Sequence, residues 1–361
     1  MTTTSERPSA TPDREVSKRV SQSVFDGSRL RVVLLVDVHD GAQQQFLEAY
    51  EQLCNQVASV PGHVSDQLCQ SIENPSQWLI TSEWESAPPF LTWVNSEEHV
   101  RMVEPLHSCV RDTRSLRFHV VRETGGAAPQ AEPGQRRLQA HPRIGDGLIR
   151  HALTFTVKPG SEEKVAELLS DYASPQARVD DTTRLCRTSL FMHGNRVVRA
   201  IEVRGDLLAA LRHVARQPEV RAVEEAINPY LEQDRDLDDQ ESARMFFTRA
   251  ALPAVHHVSA GDHQEGLRQA LYYAARPGRG MRLAELLAQA DSESADDPAS
   301  PVLRSTVFQR DDVVVRLVDV RPEQGAEAVP LRARVAAEVR ELLDAEAARM
   351  DLITDRRSPE A

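Results

Sequence analysis

Residues Arg150–Leu169 read RHALTFTVKPGSEEKVAELL, and residues Arg268–Leu287 read RQALYYAARPGRGMRLAELL. Both stretches open on Arg-x-Ala-Leu, break at Pro-Gly and continue into Ala-Glu-Leu-Leu, at a constant offset of 118 positions. Further on, Phe191 matches Phe308, Val198-Arg199 matches Val315-Arg316, and Val203-Arg204 matches Val320-Arg321, now 117 apart. An offset held over several elements marks duplication of one structural unit. In each copy an apolar run suited to a strand ends at the Pro-Gly turn signal, and helical spacing follows.

The order of elements ahead of these copies is the same. Leu30–Val38 (LRVVLLVDV) reads as a buried strand, and Asp40-Gly41 as a turn. Phe46, Leu47, Tyr50, Leu53, Cys54 and Val57 fall on one helix face, which Pro61-Gly62 ends. Two strands, Val64–Ile72 and Trp78–Trp84, flank the turn Glu73-Asn74-Pro75-Ser76. A helix over Phe90–Val110, broken at Asn95-Ser96, precedes a last strand at Leu116–Val121. The expected fold class is therefore α+β, with tandem ferredoxin-like βαββαβ units. The boundaries are a disordered tail over 1–28, unit one over 29–123, a Gly/Pro-rich linker over 124–143, unit two over 144–258, a linker over 259–266, and unit three over 267–361. Arg244-Met245 and Arg349-Met350 are expected to open the last strands of units two and three.

A βαββαβ unit puts both helices on one face of its sheet and leaves the other face bare. Two bare faces can close on each other as a dimeric α/β-barrel-type pair. Units two and three are expected to pair within the chain, and unit one with its copy in a homodimer.

The chain has 361 residues and a net charge of −12. An acidic surface repels phosphate backbones, so no nucleic-acid partner is expected. No apolar stretch approaches a membrane span, and the N-terminus lacks a secretory apolar core, which predicts no membrane association and a cytoplasmic location. Cys54, Cys69, Cys109 and Cys186 lie far apart without a CxxC pair, which argues against both a disulfide framework and a zinc site. His256-His257 resembles a metal pair, but neighbours on a strand point to opposite faces. No dinucleotide fingerprint or phosphate loop occurs, so no cofactor and no metal are expected.

Trp84-Glu-Ser, followed by Phe90-x-x-Trp93-x-x-Ser96-x-x-His99, resembles the antibiotic biosynthesis monooxygenase family over roughly residues 29–123. Units two and three resemble the SchA/CurD-like domain through Arg150-His151-Ala152-Leu153, Pro159-Gly160 and the hairpin from Leu190 to Arg199. Together the resemblances imply tailoring of an aromatic type II polyketide. They imply a monooxygenase that uses dioxygen as co-substrate and no cofactor to turn a phenolic or anthrone ring into a quinone. A polyketide cyclase or aromatase, or a non-enzymatic partner of polyketide cyclases, is the alternative. The sequence departs from the family in two places. The haem-degrading branch has an Asn on its first strand, where this chain is apolar around Leu34. The quinone-forming branch often has an Asn where this chain has Ile80.

Candidate site residues follow from chemistry. His99 and His119 are the candidate bases, since imidazole titrates near neutrality. Trp84, Phe90 and Trp93 supply rings for a flat substrate, with the Trp84 indole N–H expected to be free for a substrate oxygen. His107, His151 and Arg199 complete the candidate substrate-binding set, with arginine suited to phenolate or carboxylate oxygens. For each, an ordinary packing or surface role is the competing expectation.

Overall fold

The computed structural model describes residues 19–121, 145–233, 235–261, 266–322 and 331–358. The expected linker over 124–143 lies outside them.

Unit one runs β2 (Leu30–Val38), α1 (Gln43–Val57), β3 (His63–Gln70), β4 (Gln77–Trp84), α2 (Ala87–Val94), α3 (Glu97–His107) and β5 (Val110–His119). Its antiparallel sheet has the order β3-β4-β2-β5. Alternation assigns the faces. Val36 and Val38 pack on Phe46 and Ala49 of α1 and on Leu106 of α3. Val33 and Leu35 point to the opposite face and align with Thr81 and Leu79 on β4. The break between α2 and α3 falls where Ser96 caps α3, its Oγ accepting the His99 backbone N–H at 3.1 Å.

Units two and three contribute β6 (Leu148–Thr156), α4 (Glu162–Ser170), β7 (Arg184–His193), β8 (Arg196–Arg204), α5 (Leu207–Ala215), α6 (Pro218–Ile227), α7 (Gln240–Ala250) and β9 (Ala251–Ser259). They continue with β10 (Leu267–Ala274), α8 (Gly280–Ala295), β11 (Val302–Arg310), β12 (Val313–Val320), α9 (Ala333–Leu342) and β13 (Ala348–Arg357). Arg244-Met245 lies in α7, so it does not open the last strand of unit two. That strand starts at Ala251, and its end takes in Ser259 from the expected linker.

The two sheets close into one barrel by exchanging their last strands. β9 pairs with β6 through Ala251–Pro253 and with β11 over Ala254–Ser259. β13 pairs with β10 through Ala348–Met350 and with β7 over Asp351–Arg357. The bare faces of units two and three are thereby turned inward, and edges that would otherwise be open are paired. Part of the interior is apolar, built on Ala152, Phe191, Val198, Leu252, Phe308 and Met350. Another part is ionic: Asp319 meets Arg268 at 2.8 Å, Arg304 at 3.1 Å and Arg187 at 3.2 Å. Burial alone would raise the Asp319 carboxyl, but Arg268, Arg187 and Arg304 together hold it well below the ordinary range.

The expected tail over 1–28 needs correction. Val20–Ser23 form a strand, β1, that pairs with His256–Ser259 of β9. Backbone hydrogen bonds suffice to hold so short an edge strand, whose sequence VSQS carries no strong apolar pattern. Residues 1–18 lie outside the described residues. Val24 and Phe25 then join an apolar cluster that unites Trp84, Phe90 and Leu91 of unit one with Leu283, Leu287 and Val339 of unit three. Arg310 adds a hydrogen bond to the Asn95 carbonyl at the end of α2, at 3.2 Å.

Candidate functional site

Trp84 ends β4 at the corner into α2 and is fully buried. Phe90 and Trp93, three residues apart on α2, share a face. Their rings lie 5.4 Å from Trp84 at 67° and 29° respectively. His99, in the first turn of α3, sets its imidazole edge on Trp93 with centroids 4.3 Å apart. The sequence-predicted Trp84, Phe90, Trp93 and His99 therefore form one cluster. His63, which sequence reasoning passed over, closes it from β3, 5.2 Å from Trp84, with Nε2 2.8 Å from Asp66.

The expected free indole is the wrong one. Trp84 Nε1–H donates to Ser82 Oγ, whereas the buried Trp93 Nε1–H has no acceptor among the described residues. The strand alternation that places Ser82 beside Trp84 explains the swap, since both side chains lie on the helix-covered face. His99 Nδ1 is likewise buried without a partner. Burial, then the charges of His107 and Arg117, lower the His99 imidazole to about 4, so it is neutral at pH 7.

Arg117 is the principal residue that sequence reasoning missed as a site candidate. It lies on β5 opposite Val32, hence on the helix-covered face, with its guanidinium 5.3 Å from the Phe90 ring centroid. It is surrounded by protein yet its side chain remains reachable by water. No carboxylate among the described residues pairs with it. His119 stands two residues on along the same face, half-buried. The available signal was the alternation Arg117-x-His119 on a strand that pairs with the buried Leu30 and Val32 of β2.

The remaining candidates divide. His107 ends α3 in an exposed position and lowers His99 through its charge. His151, on β6 of unit two, is lowered to about 4 by burial and then by the charge of Arg117. Arg199 does not join this group. It lies under the helices of unit two, 2.7 Å from Glu224. His256 and His257 point apart as expected, toward Ser292 and Thr306. Among the described residues no group of three or more His, Cys, Asp or Glu side chains could hold a metal, and no helix is long and apolar enough to cross a membrane.

Residues 29–105 match the antibiotic biosynthesis monooxygenase family, and residues 148–260 match the SchA/CurD like domain. The chain belongs to the SchA/CurD family of proteins, with an antibiotic biosynthesis monooxygenase domain ahead of the SchA/CurD domain.

Its relatives carry names from Streptomyces. It is 64% identical to the "42.8 kDa protein in whiE locus" of Streptomyces coelicolor, over 92% of this chain and 84% of that one. It is 67% identical to "Polyketide synthase CurD" of Streptomyces cyaneus, over 84% and 82%. It is 58% identical to "Protein SchA" of Streptomyces halstedii, over 95% and 97%. Among solved structures, SnoaB, a cofactor-independent oxygenase from Streptomyces nogalater, is 16% identical, with 28% of this chain and 99% of that chain covered and a TM-score of 0.25.

Proposed function

We propose that unit one oxidises a phenolic or anthrone-type ring of an aromatic polyketide to a quinone with dioxygen, without flavin or metal. The observation that carries this reading is the placement of Arg117 and His99 around the Trp84–Phe90–Trp93 wall. The names of the relatives supply the polyketide context.

The chemistry needs a substrate anion, since the anion is electron-rich enough to pass an electron to dioxygen. An imidazole near 4 is a weak base for a phenol near 10. The gap of about six units costs roughly 8 kcal/mol. A cation at the oxygen must close most of it, and Arg117, with no carboxylate of its own, is the group placed to do so. His99 Nδ1 then accepts the phenolic proton, and Trp93 Nε1–H donates to a substrate oxygen. The anion reduces dioxygen by one electron, and the radical pair joins as a carbon–oxygen bond. His99 returns its proton to the peroxide, and passage of the second ring-carbon proton to His99 cleaves the O–O bond, the departing hydroxide leaving with that proton as water. One ring CH₂ becomes C=O, one dioxygen is consumed and one water is released.

The test compares aerobic and anaerobic incubation of the purified protein with cyclase-derived anthrone-type intermediates. The expected product has gained one oxygen and lost two hydrogens, with matching oxygen uptake. Absence of oxygen uptake on every polyphenol of the class sinks the proposal. A second reading, a cyclase or aromatase, draws support from Ile80, a buried apolar residue where the quinone-forming branch often has Asn. It predicts a cyclised product without oxygen uptake.

The working unit under this proposal is a homodimer. The bare face of unit one presents Val33, Leu35, Leu79, Leu116 and Phe118, with Leu35 43% and Phe118 50% exposed. The equivalent faces of units two and three are closed by each other, which supports a second copy as the cover.

A further inference from the structure

Arg199 lies apart from that cluster, beneath the helices of unit two. It stands on β8 between Leu153 of β6 and Leu190 of β7, on the helix-covered face. Its Nη1 donates to Glu224 Oε1 at 2.7 Å, but Nε and Nη2 are buried without acceptors. The second Glu224 oxygen is taken by Arg235, also at 2.7 Å. Burial would raise the Glu224 carboxyl, and the two guanidinium groups hold it below the ordinary range. One carboxylate therefore serves two cations.

Across Leu190 in the same sheet row stands Thr354, contributed by β13 of unit three, with a buried and unpartnered Oγ1. Two residues on, Arg356 lies 4.3 Å over the Tyr172 ring and donates from Nη2 to the Tyr172 carbonyl. Its Nη1 is buried without an acceptor, and no carboxylate among the described residues pairs with it. Tyr172 is also near enough to Arg199 to act on it electrostatically. On its outer side it lines a groove of about 370 Å³ between α4 and α6, with Leu168, Ala222 and Val223.

We propose that these donors, together with the groove beside Tyr172, bind the carboxylate or phenolate of a flat aromatic acid, with the ring against Tyr172 and the anionic oxygens on Arg199, Thr354 and Arg356. Buried donors are rarely left unpaired in folded proteins, and here four such atoms share one face. Guanidinium forks match a planar anion in two dimensions. Glu167, Asp171 and Glu219 rim the groove and repel multiply charged ligands, so a monoanion is selected over a phosphate ester. The site is composite, since it needs β13 of unit three delivered to unit two by strand exchange. The choice of an aromatic acid rests on the polyketide reading above, and the donor set does not.

The test uses the full chain without turnover. 1-Hydroxy-2-naphthoate is titrated while hydrogen exchange is followed by mass spectrometry. The expected result is slowed exchange in the segments over 162–173 and 218–227. Arg356→Gln and Thr354→Val should each raise the ligand concentration needed for that protection, the former about tenfold. The naphthoate methyl ester and 1-naphthyl phosphate should bind at least tenfold more weakly. Arg199→Gln should abolish protection, but it leaves the Glu224 network short of a cation, so the substitutions at the part-exposed Thr354 and Arg356 decide the outcome. Protection confined to unit one, no protection anywhere, unchanged response in both variants, or equal binding of the ester overturns the site. Because oxygen uptake is not measured, the oxidation proposal stands or falls separately.

Discussion

The imidazole of His99 meets the indole of Trp93 edge to face, with centroids 4.3 Å apart and ring planes at 68°. This contact buries His99 and keeps it neutral. Its titration is expected near 4 in the folded chain against 6.5 in the unfolded one. Between those values the unfolded chain holds the extra proton, so stability falls as pH drops from about 6.5 to 4. NMR titration of the His99 ring checks the midpoint, and His99→Gln should flatten that part of the stability–pH curve. A midpoint at or above 6 contradicts the packing account.

Arg117→Gln is expected to lower turnover about 10²-fold, the scale of losing one charged donor at a developing oxyanion. Arg117→Lys keeps the charge and should recover part of the loss. In the Gln variant the pH at which oxygen uptake rises should shift upward, because the substrate anion loses its counter-charge. An oxygen electrode across a pH series reads both effects, and unchanged profiles would remove Arg117 from the chemistry.

Asp319 anchors the ionic part of the barrel through Arg187, Arg268 and Arg304. Asp319→Asn leaves buried cations without their shared carboxylate and should cost roughly 3–5 kcal/mol. The wild-type carboxyl is depressed in the folded state, so its contribution is complete above the ordinary carboxylate range and lost as pH falls below it. Urea unfolding at pH 7 and over the acid range measures both, and a variant as stable as wild type refutes the assignment.

Charge on the bare face of unit one should separate the proposed dimer. Leu35→Glu with Phe118→Glu is expected to halve the mass seen by light scattering, with helix content unchanged. A monomeric wild type refutes the pairing.

The sequence revealed the repeat because local chemistry recurs there. Pro159-Gly160 and Pro277-Gly278 are turns whose glycines sit at φ 85° and 72°, where a side chain would be strained. Helix spacing likewise put Phe90 and Trp93 on one face, and the family resemblance joined Trp84 and His99 to them. Partners distant in the chain were not legible. Nothing local in Ala254–Ser259 tells that it leaves unit two for β11, and nothing in VSQS announces a strand. The identity of the unsatisfied indole depended on Ser82, a residue with no signal of its own. Arg117 was readable as a face but not as a charge lacking a counter-ion, because that requires knowing every neighbour.

The pairing of Val20–Ser23 with β9 means that the chain visits the barrel, leaves to build unit one, and returns. A single proteolytic nick within residues 122–144 would therefore leave two fragments that co-migrate as one particle. The front fragment would remain stitched on by its own leading strand, with Val24 and Phe25 as the buttons. Unit one is fastened at its entrance as well as through the shared apolar cluster, so both of these attachments survive a cut behind it.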